Sequence, residues 1–122
     1  MNTKKILLVT SDKELSGIVK ISALTLTKLN CQVEIRESFE FEDTINLSKE
    51  ENLDMIIIDA DNKELNILKL IEEIRSYEES SSKKIMTVFS DEIDRDEFFK
   101  AGCDSIMTKE EFKRVINNIL VM

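Results

Sequence analysis

The segment Leu53-Asp54-Met55-Ile56-Ile57-Ile58-Asp59 carries four consecutive apolar residues with an acid on either side. An apolar run this short, with no polar alternation, is the pattern of a strand buried on both faces, as in a parallel sheet. The run delivers Asp59 at its carboxyl end, where such a strand leaves the core. Two further runs have the same character: Ile6-Leu7-Leu8-Val9 upstream, and Ile85 to Phe89 downstream. Cys31 to Arg36 alternates, with Val33 and Ile35 on one side, as an edge strand does. Ser105-Ile106-Met107 completes a set of five strands.

The stretches between the strands have helical periodicity. Ser11 with Glu14 three positions on has the form of a capping box. Leu15, Ile18, Val19, Ser22, Leu26 and Leu29 then share one face, which predicts a helix over Asp12 to Leu29. Phe41 to Asn52 reads as a second helix, acidic outside and anchored by Ile45 and Leu47. Leu65 to Tyr77 is the third, with Leu68, Ile71 and Ile74 spaced by three. Glu78 to Lys84 is a solvated loop. Asp91 to Ala101 is a short fourth helix, with Gly102 as its C-terminal cap. Glu110 to Leu120 is the fifth, with Phe112, Val115, Ile116 and Ile119 facing inward.

Strict alternation of strands and helices specifies a parallel sheet covered on both faces. Right-handed crossovers leave few topologies. The expected fold is a flavodoxin-like three-layer (βα)5 sandwich, a five-stranded parallel sheet of order 2-1-3-4-5. The 122 residues suit one domain over 1–122.

Composition removes whole classes of chemistry. The chain has no His, which excludes Ser-His-Asp and Cys-His catalysis and histidine-ligated metals. Two cysteines, Cys31 and Cys103, are too few for a disulfide framework, and they read as two buried free thiols. Two glycines and no proline exclude glycine-rich phosphate loops. The net charge of −8 argues against direct nucleic-acid binding and against a basic membrane patch. No apolar run approaches the ~18 residues of a membrane span. The apolar run near the N-terminus is too short for a signal peptide, so a cytoplasmic location is expected.

In an open parallel sheet the ligand site lies beyond the carboxyl ends of the strands, where the strand order reverses. Those ends deliver Thr10, Ser11 and Asp12 from the first strand and Asp59, Ala60 and Asp61 from the third. The fourth delivers Phe89, Ser90 and Asp91, and the fifth Thr108 and Lys109. Topology alone therefore gathers carboxylates, hydroxyls and an ammonium at one rim. Asp59 is either a functional carboxylate or a strand-end acid that caps the next loop.

On these residues the chain resembles the receiver domain of two-component response regulators, over essentially its full length. Leu53 to Asp59 is similar to the family's third strand with its phosphoacceptor aspartate. Ala101-Gly102-Cys103-Asp104-Ser105-Ile106-Met107-Thr108-Lys109 is similar to the segment that ends in the family's lysine. The resemblance implies that Asp59 is the phosphoacceptor, that Lys109 is the phosphate partner, and that Asp61 offers a backbone carbonyl to magnesium. It also implies a histidine kinase or downstream signalling protein as partner. A homodimer through the surface of the fourth helix, fifth strand and fifth helix is a further implication.

The departures cluster at the chemistry. Thr10 and Ser11 stand where the family has metal-binding acids, with Asp12 one position late. Magnesium prefers carboxylate oxygen, so a magnesium site using Asp59, Asp61 and Asp12 is expected to be weak, and no other cofactor is expected. Phe89 occupies the switch hydroxyl position, leaving Ser90 as the alternative, and Ile106 replaces the switch aromatic. Glu110 follows Lys109 where the family has proline. A non-proline cis bond costs roughly 2.5–4 kcal/mol, so a trans Lys109–Glu110 peptide is expected.

These features point to an atypical receiver, or pseudo-receiver: a non-enzymatic module of a phosphorelay. It would act by protein–protein interaction with weakened or lost aspartyl phosphorylation. Its candidate contacts are Phe98 or Phe99, Ile106, Arg114 and Asn118, and one of the two phenylalanines should be less buried than the other. One alternative is a working phosphoacceptor at Asp59 with an altered magnesium site. Another is a flavin- or nucleotide-binding protein of the same fold, for which Thr10-Ser11-Asp12-Lys13 is a weak signal.

Overall fold

The computed structural model describes residues 3–121. Within them five strands and five helices alternate: β1 (Thr3–Val9), α1 (Lys13–Lys28), β2 (Gln32–Ser38), α2 (Phe41–Ser48), β3 (Met55–Asp59), α3 (Ile67–Ser76), β4 (Lys84–Phe89), α4 (Arg95–Ala101), β5 (Ser105–Thr108) and α5 (Lys109–Leu120). The strands form one parallel sheet of order β2-β1-β3-β4-β5, as expected.

The period of two along each strand divides the core into two layers. Ile6, Leu8, Met55 and Ile57 face the helices α1 and α5, where Leu15, Val19, Phe112 and Ile116 meet them. Leu7, Val9, Ile56 and Ile58 face the other way, against Ile45 of α2, Leu70, Ile71 and Ile74 of α3, and Phe98 of α4. Both faces are covered, which is why the central strands read as unbroken apolar runs. Each such side chain contributes about 1.5–3 kcal/mol through burial.

Element ends differ from the sequence reading where a cap or a turn decides them. Asp12, not Ser11, caps α1: its Oδ1 accepts from the amides of Glu14 at 3.0 Å and Leu15 at 3.2 Å. The helix α2 stops at Ser48, whose hydroxyl donates back to the Ile45 carbonyl. Residues 49–53 then turn down toward β3. The helix α3 begins after Asn66, which accepts from the Lys69 amide, so Leu65 precedes it. The helix α4 begins only at Arg95, capped by Asp94. The amides of Ser90 and Asp91 are already committed to Asp61, which keeps that segment out of the helix. Leu29 and Val115, expected to face the core, are exposed, as is Cys31; Cys103 is buried, and both thiols are free. No peptide among the described residues is cis, so Lys109–Glu110 is trans.

At the amino end of the sheet, Arg75 ties three segments together. Its guanidinium donates to the carbonyls of Gly102 at 2.9 Å, Ser81 at 2.8 Å and Lys83 at 2.6 Å, and to the Asp104 carboxylate at 2.8 Å. Gly102 has φ +124° and lies against the Arg75 stem; a Cβ there would sit 2.5 Å from Arg75 Cγ. Lys83 bonds the carbonyls of Glu51 and Leu53 in the same region.

Candidate functional site

The pairing of Val9 with Ile58 and of Phe89 with Thr108 sets the carboxyl ends of four strands side by side. Thr10 thus leaves β1 beside Asp59, and Lys109 follows β5 from the other side. Asp59 is 2% exposed and ends a strand with no exposed residue. A buried carboxylate is tolerated only when it is paired and hydrogen-bonded.

Both Asp59 oxygens are engaged. Oδ2 accepts from the Thr10 hydroxyl at 2.6 Å and from Lys109 Nζ at 3.1 Å, and Oδ1 accepts from the Asp61 amide at 2.9 Å. Thr10 Oγ1 in turn accepts from the Asp12 amide at 3.0 Å, which fixes the hydroxyl so that its proton points at Asp59.

The Lys109 ammonium stands among three carboxylates. It lies 3.1 Å from Asp59 Oδ2, 3.1 Å from Asp12 Oδ2 and 2.9 Å from Asp61 Oδ2. Burial alone would lower the lysine pKa, yet Asp61, Asp59 and Asp12 together hold it above its ordinary value. The partners respond in kind. Burial pushes Asp12 up, but Lys109 and the amides of Leu15 and Glu14 outweigh it, and the pKa falls below the usual carboxylate value. Asp61 behaves likewise, with Lys109 and the Ser90 and Asp91 amides prevailing over burial.

Asp61 does more than terminate a loop. Its carboxylate accepts from the Ser90 amide at 2.9 and 3.1 Å and from the Asp91 amide at 3.1 Å. One side chain thereby holds the exits of β3 and β4 to the start of α5. The Ser90 side chain is exposed beside the cleft that Phe89, Thr108 and Glu110 line next to Lys109. Phe89 is buried, with the Arg95 guanidinium 5.2 Å above its ring.

The structure therefore brings together Asp12, Asp59, Asp61 and Lys109, and it places Ser90 at the edge of the same rim. Sequence reasoning treated Thr10 as a lost acid and did not foresee it as the donor to Asp59. The signal was present: in parallel strands one past the other, residues 10 and 59 leave neighbouring ends. The clasp of Asp61 on the β4–α4 segment had no sequence signal, because it uses backbone amides.

The three carboxylates and the hydroxyl are hard oxygen donors of the kind magnesium takes. Their arrangement makes the site a weak one for such an ion: each carboxylate oxygen already accepts a hydrogen bond from the protein, with which an arriving ion must compete. Among the described residues no group of three or more His, Cys, Asp or Glu is disposed to hold a metal.

No protein-family model and no curated protein matches the chain. Solved structures do share its fold. A response regulator from Hahella chejuensis superposes with a TM-score of 0.78 at 18% identity, covering 96% of this chain and 92% of that one. The phosphorylated cyanobacterial phytochrome response regulator gives 0.81 at 14% identity, covering 97% and 91%. The receiver domain of a sensor histidine kinase from Pseudomonas aeruginosa, which has magnesium coordinated in its active-site cleft, gives 0.79 at 17% identity, covering 98% and 95%.

Proposed function

We propose that this chain is an atypical receiver-like signalling module, one domain over 1–122, that acts through protein–protein interaction in the cytoplasm. It is a module of a two-component phosphorelay and not an enzyme, and phosphorylation of Asp59 is weakened or lost. The observation that carries this reading is the closure of Asp59: the carboxylate is 2% exposed and its Oδ2 is covered by Thr10 and Lys109. An attacking carboxylate oxygen needs an open approach to the phosphorus and a cation beside it. Here Thr10 supplies a neutral hydroxyl where an acid would recruit that cation.

The fold shared with receiver domains and the retained pair of Asp59 and Lys109 support a histidine kinase or a downstream signalling protein as partner. The output surface in this reading is formed by α4, β5 and α5, which also serves a homodimer. On it Phe99 is 47% exposed while its neighbour Phe98 is buried. Ile106 is half-buried, and Arg114 and Asn118 are exposed. Magnesium binds weakly in this reading, at Asp12, Asp59 and Asp61. No helix among the described residues is long and apolar enough to cross a membrane.

A second reading has Asp59 as a working phosphoacceptor with an altered metal site and Ser90 as the switch hydroxyl. The 3.1 Å contact of Asp59 with Lys109 favours it. Intact mass after incubation with acetyl phosphate and magnesium separates the two. The proposed function expects no appreciable phosphoryl adduct. A stoichiometric adduct on the wild type that disappears in Asp59→Asn overturns it in favour of the second reading.

A further inference from the structure

The Asp59 rim is a cluster of three carboxylates with one ammonium at its centre, and the distribution of its donors is uneven. Asp12 Oδ1 is held by two helix amides, Asp61 Oδ1 by the amides of Ser90 and Asp91, and Asp59 Oδ1 by the Asp61 amide. The three Oδ2 atoms converge on Lys109 Nζ at 2.9 to 3.1 Å, with Asp59 Oδ2 also accepting from the Thr10 hydroxyl and Asp61 Oδ2 from the Ser90 amide. The backbone thus fixes the outer oxygen of each carboxylate and turns the inner one toward a single point. An ammonium occupies that point. Its three protons match three acceptors, and its stem is buried, at 7% exposure for the residue.

We propose that Lys109 is the resident cation of this rim, and that its occupancy, more than the neutral side chains of Thr10 and Ser11, makes the site a poor one for a divalent metal. The inference rests on the reading of Asp59 as a closed carboxylate and deepens it by naming what closes it. A divalent ion can reach the inner oxygens only by expelling an ammonium that has three charge-assisted hydrogen bonds. Removing the lysine charge leaves the same three inner oxygens converging on an empty point, with the outer oxygens still fixed by backbone. That is a preorganised set of hard donors.

The test is direct metal binding without any phosphodonor. Wild type, Lys109→Met and Thr10→Asp are titrated with Mn2+, with free ion read by its electron paramagnetic resonance signal. Lys109→Met is expected to bind Mn2+ at least roughly tenfold more tightly than wild type, as removal of a unit positive charge a few ångströms away dictates. Thr10→Asp, which keeps the ammonium, is expected to gain less than Lys109→Met. Equal affinity of wild type and Lys109→Met overturns the inference, and so does a larger gain in Thr10→Asp.

If Lys109→Met does not fold, the wild type decides by itself. An ammonium caged by three acceptors exchanges its protons slowly enough for a 15Nζ–H cross-peak, and that peak should persist through a millimolar Mg2+ titration. Its loss at low Mg2+ overturns the inference. Neither measurement involves phosphoryl transfer. A positive acetyl-phosphate result therefore overturns the proposed function alone, and a failed Mn2+ comparison overturns this inference alone.

Discussion

The two ends of the sheet each hold a cation, half-buried Arg75 at one and buried Lys109 at the other, and they treat it differently. At the amino end, Arg75 meets three neutral carbonyls and one carboxylate. Its charge is matched once, and its remaining donors satisfy backbone groups that would otherwise be left without partners. At the carboxyl end, Lys109 meets three carboxylates, so negative charge exceeds positive within a few ångströms. The first arrangement is what a structural staple requires. The second crowds three like charges around one ammonium, so the attraction to Lys109 is partly offset by repulsion among the carboxylates. Excess charge held in place by surrounding structure is a feature that functional sites share with structural ion-pair networks.

The largest effect that sharpens this contrast is expected from Lys109→Met in the absence of metal. It leaves three carboxylates facing one another with no counter-charge, and urea denaturation should show a loss of about 3–5 kcal/mol. Next comes Arg75→Met, which strands carbonyls but leaves no charge imbalance beyond Asp104. A loss of roughly 1–3 kcal/mol is expected by the same measurement. Were the Arg75 variant the more damaging of the two, the contrast between the ends would fail. Third, Asp59→Asn should leave the unfolding free energy within about 1 kcal/mol of wild type. It removes one of three crowded charges and keeps one acceptor oxygen for Thr10 and Lys109, at the cost of the acceptor for the Asp61 amide. A loss as large as that of the Arg75 variant would make Asp59 a structural residue first.

The smallest effect is in pH. Asp12 and Asp61 have folded pKa values below the ordinary aspartate value of 3.8, so they contribute stability above that pH. That contribution is lost as the pH falls from 3.8 through the depressed values. Lys109 is raised above 10.5, so its contribution is complete below 10.5 and is lost only as the pH rises through the higher folded value. Thermal melting of the wild type should therefore decline below about pH 4. In Lys109→Met that acid limb should flatten, because the main cause that holds both carboxyls down is gone. An unchanged acid limb in the variant would remove Lys109 as that cause.

Much of this architecture was legible in the residues. The unbroken apolar runs at Ile6 and Met55 named the central strands, because burial on both faces leaves no room for polar alternation. Gly102 announced the end of α4 through the positive φ it adopts. Helix starts were less legible. Ser11 and Asp12 are adjacent and both good caps, and only the geometry of the β1 exit selects the second. The delayed start of α4 depended on amides of Ser90 and Asp91 that a distant carboxylate claims, which no local pattern reveals. At the rim, strand order alone brought Asp59, Asp61 and Lys109 together. The role of Thr10 stayed hidden because a hydroxyl was judged by the acid it replaces and not by the neighbour it can reach.

The brevity of α4 has a consequence of its own. Its seven residues make two turns, and helices that short are not stable by themselves. It stays wound because Asp94 and Gly102 close its ends and Phe98 is buried beneath it. Length alone makes its opening less costly than that of the long helices α1 and α5. Phe99, already facing water on that helix, gives such a movement an apolar handle.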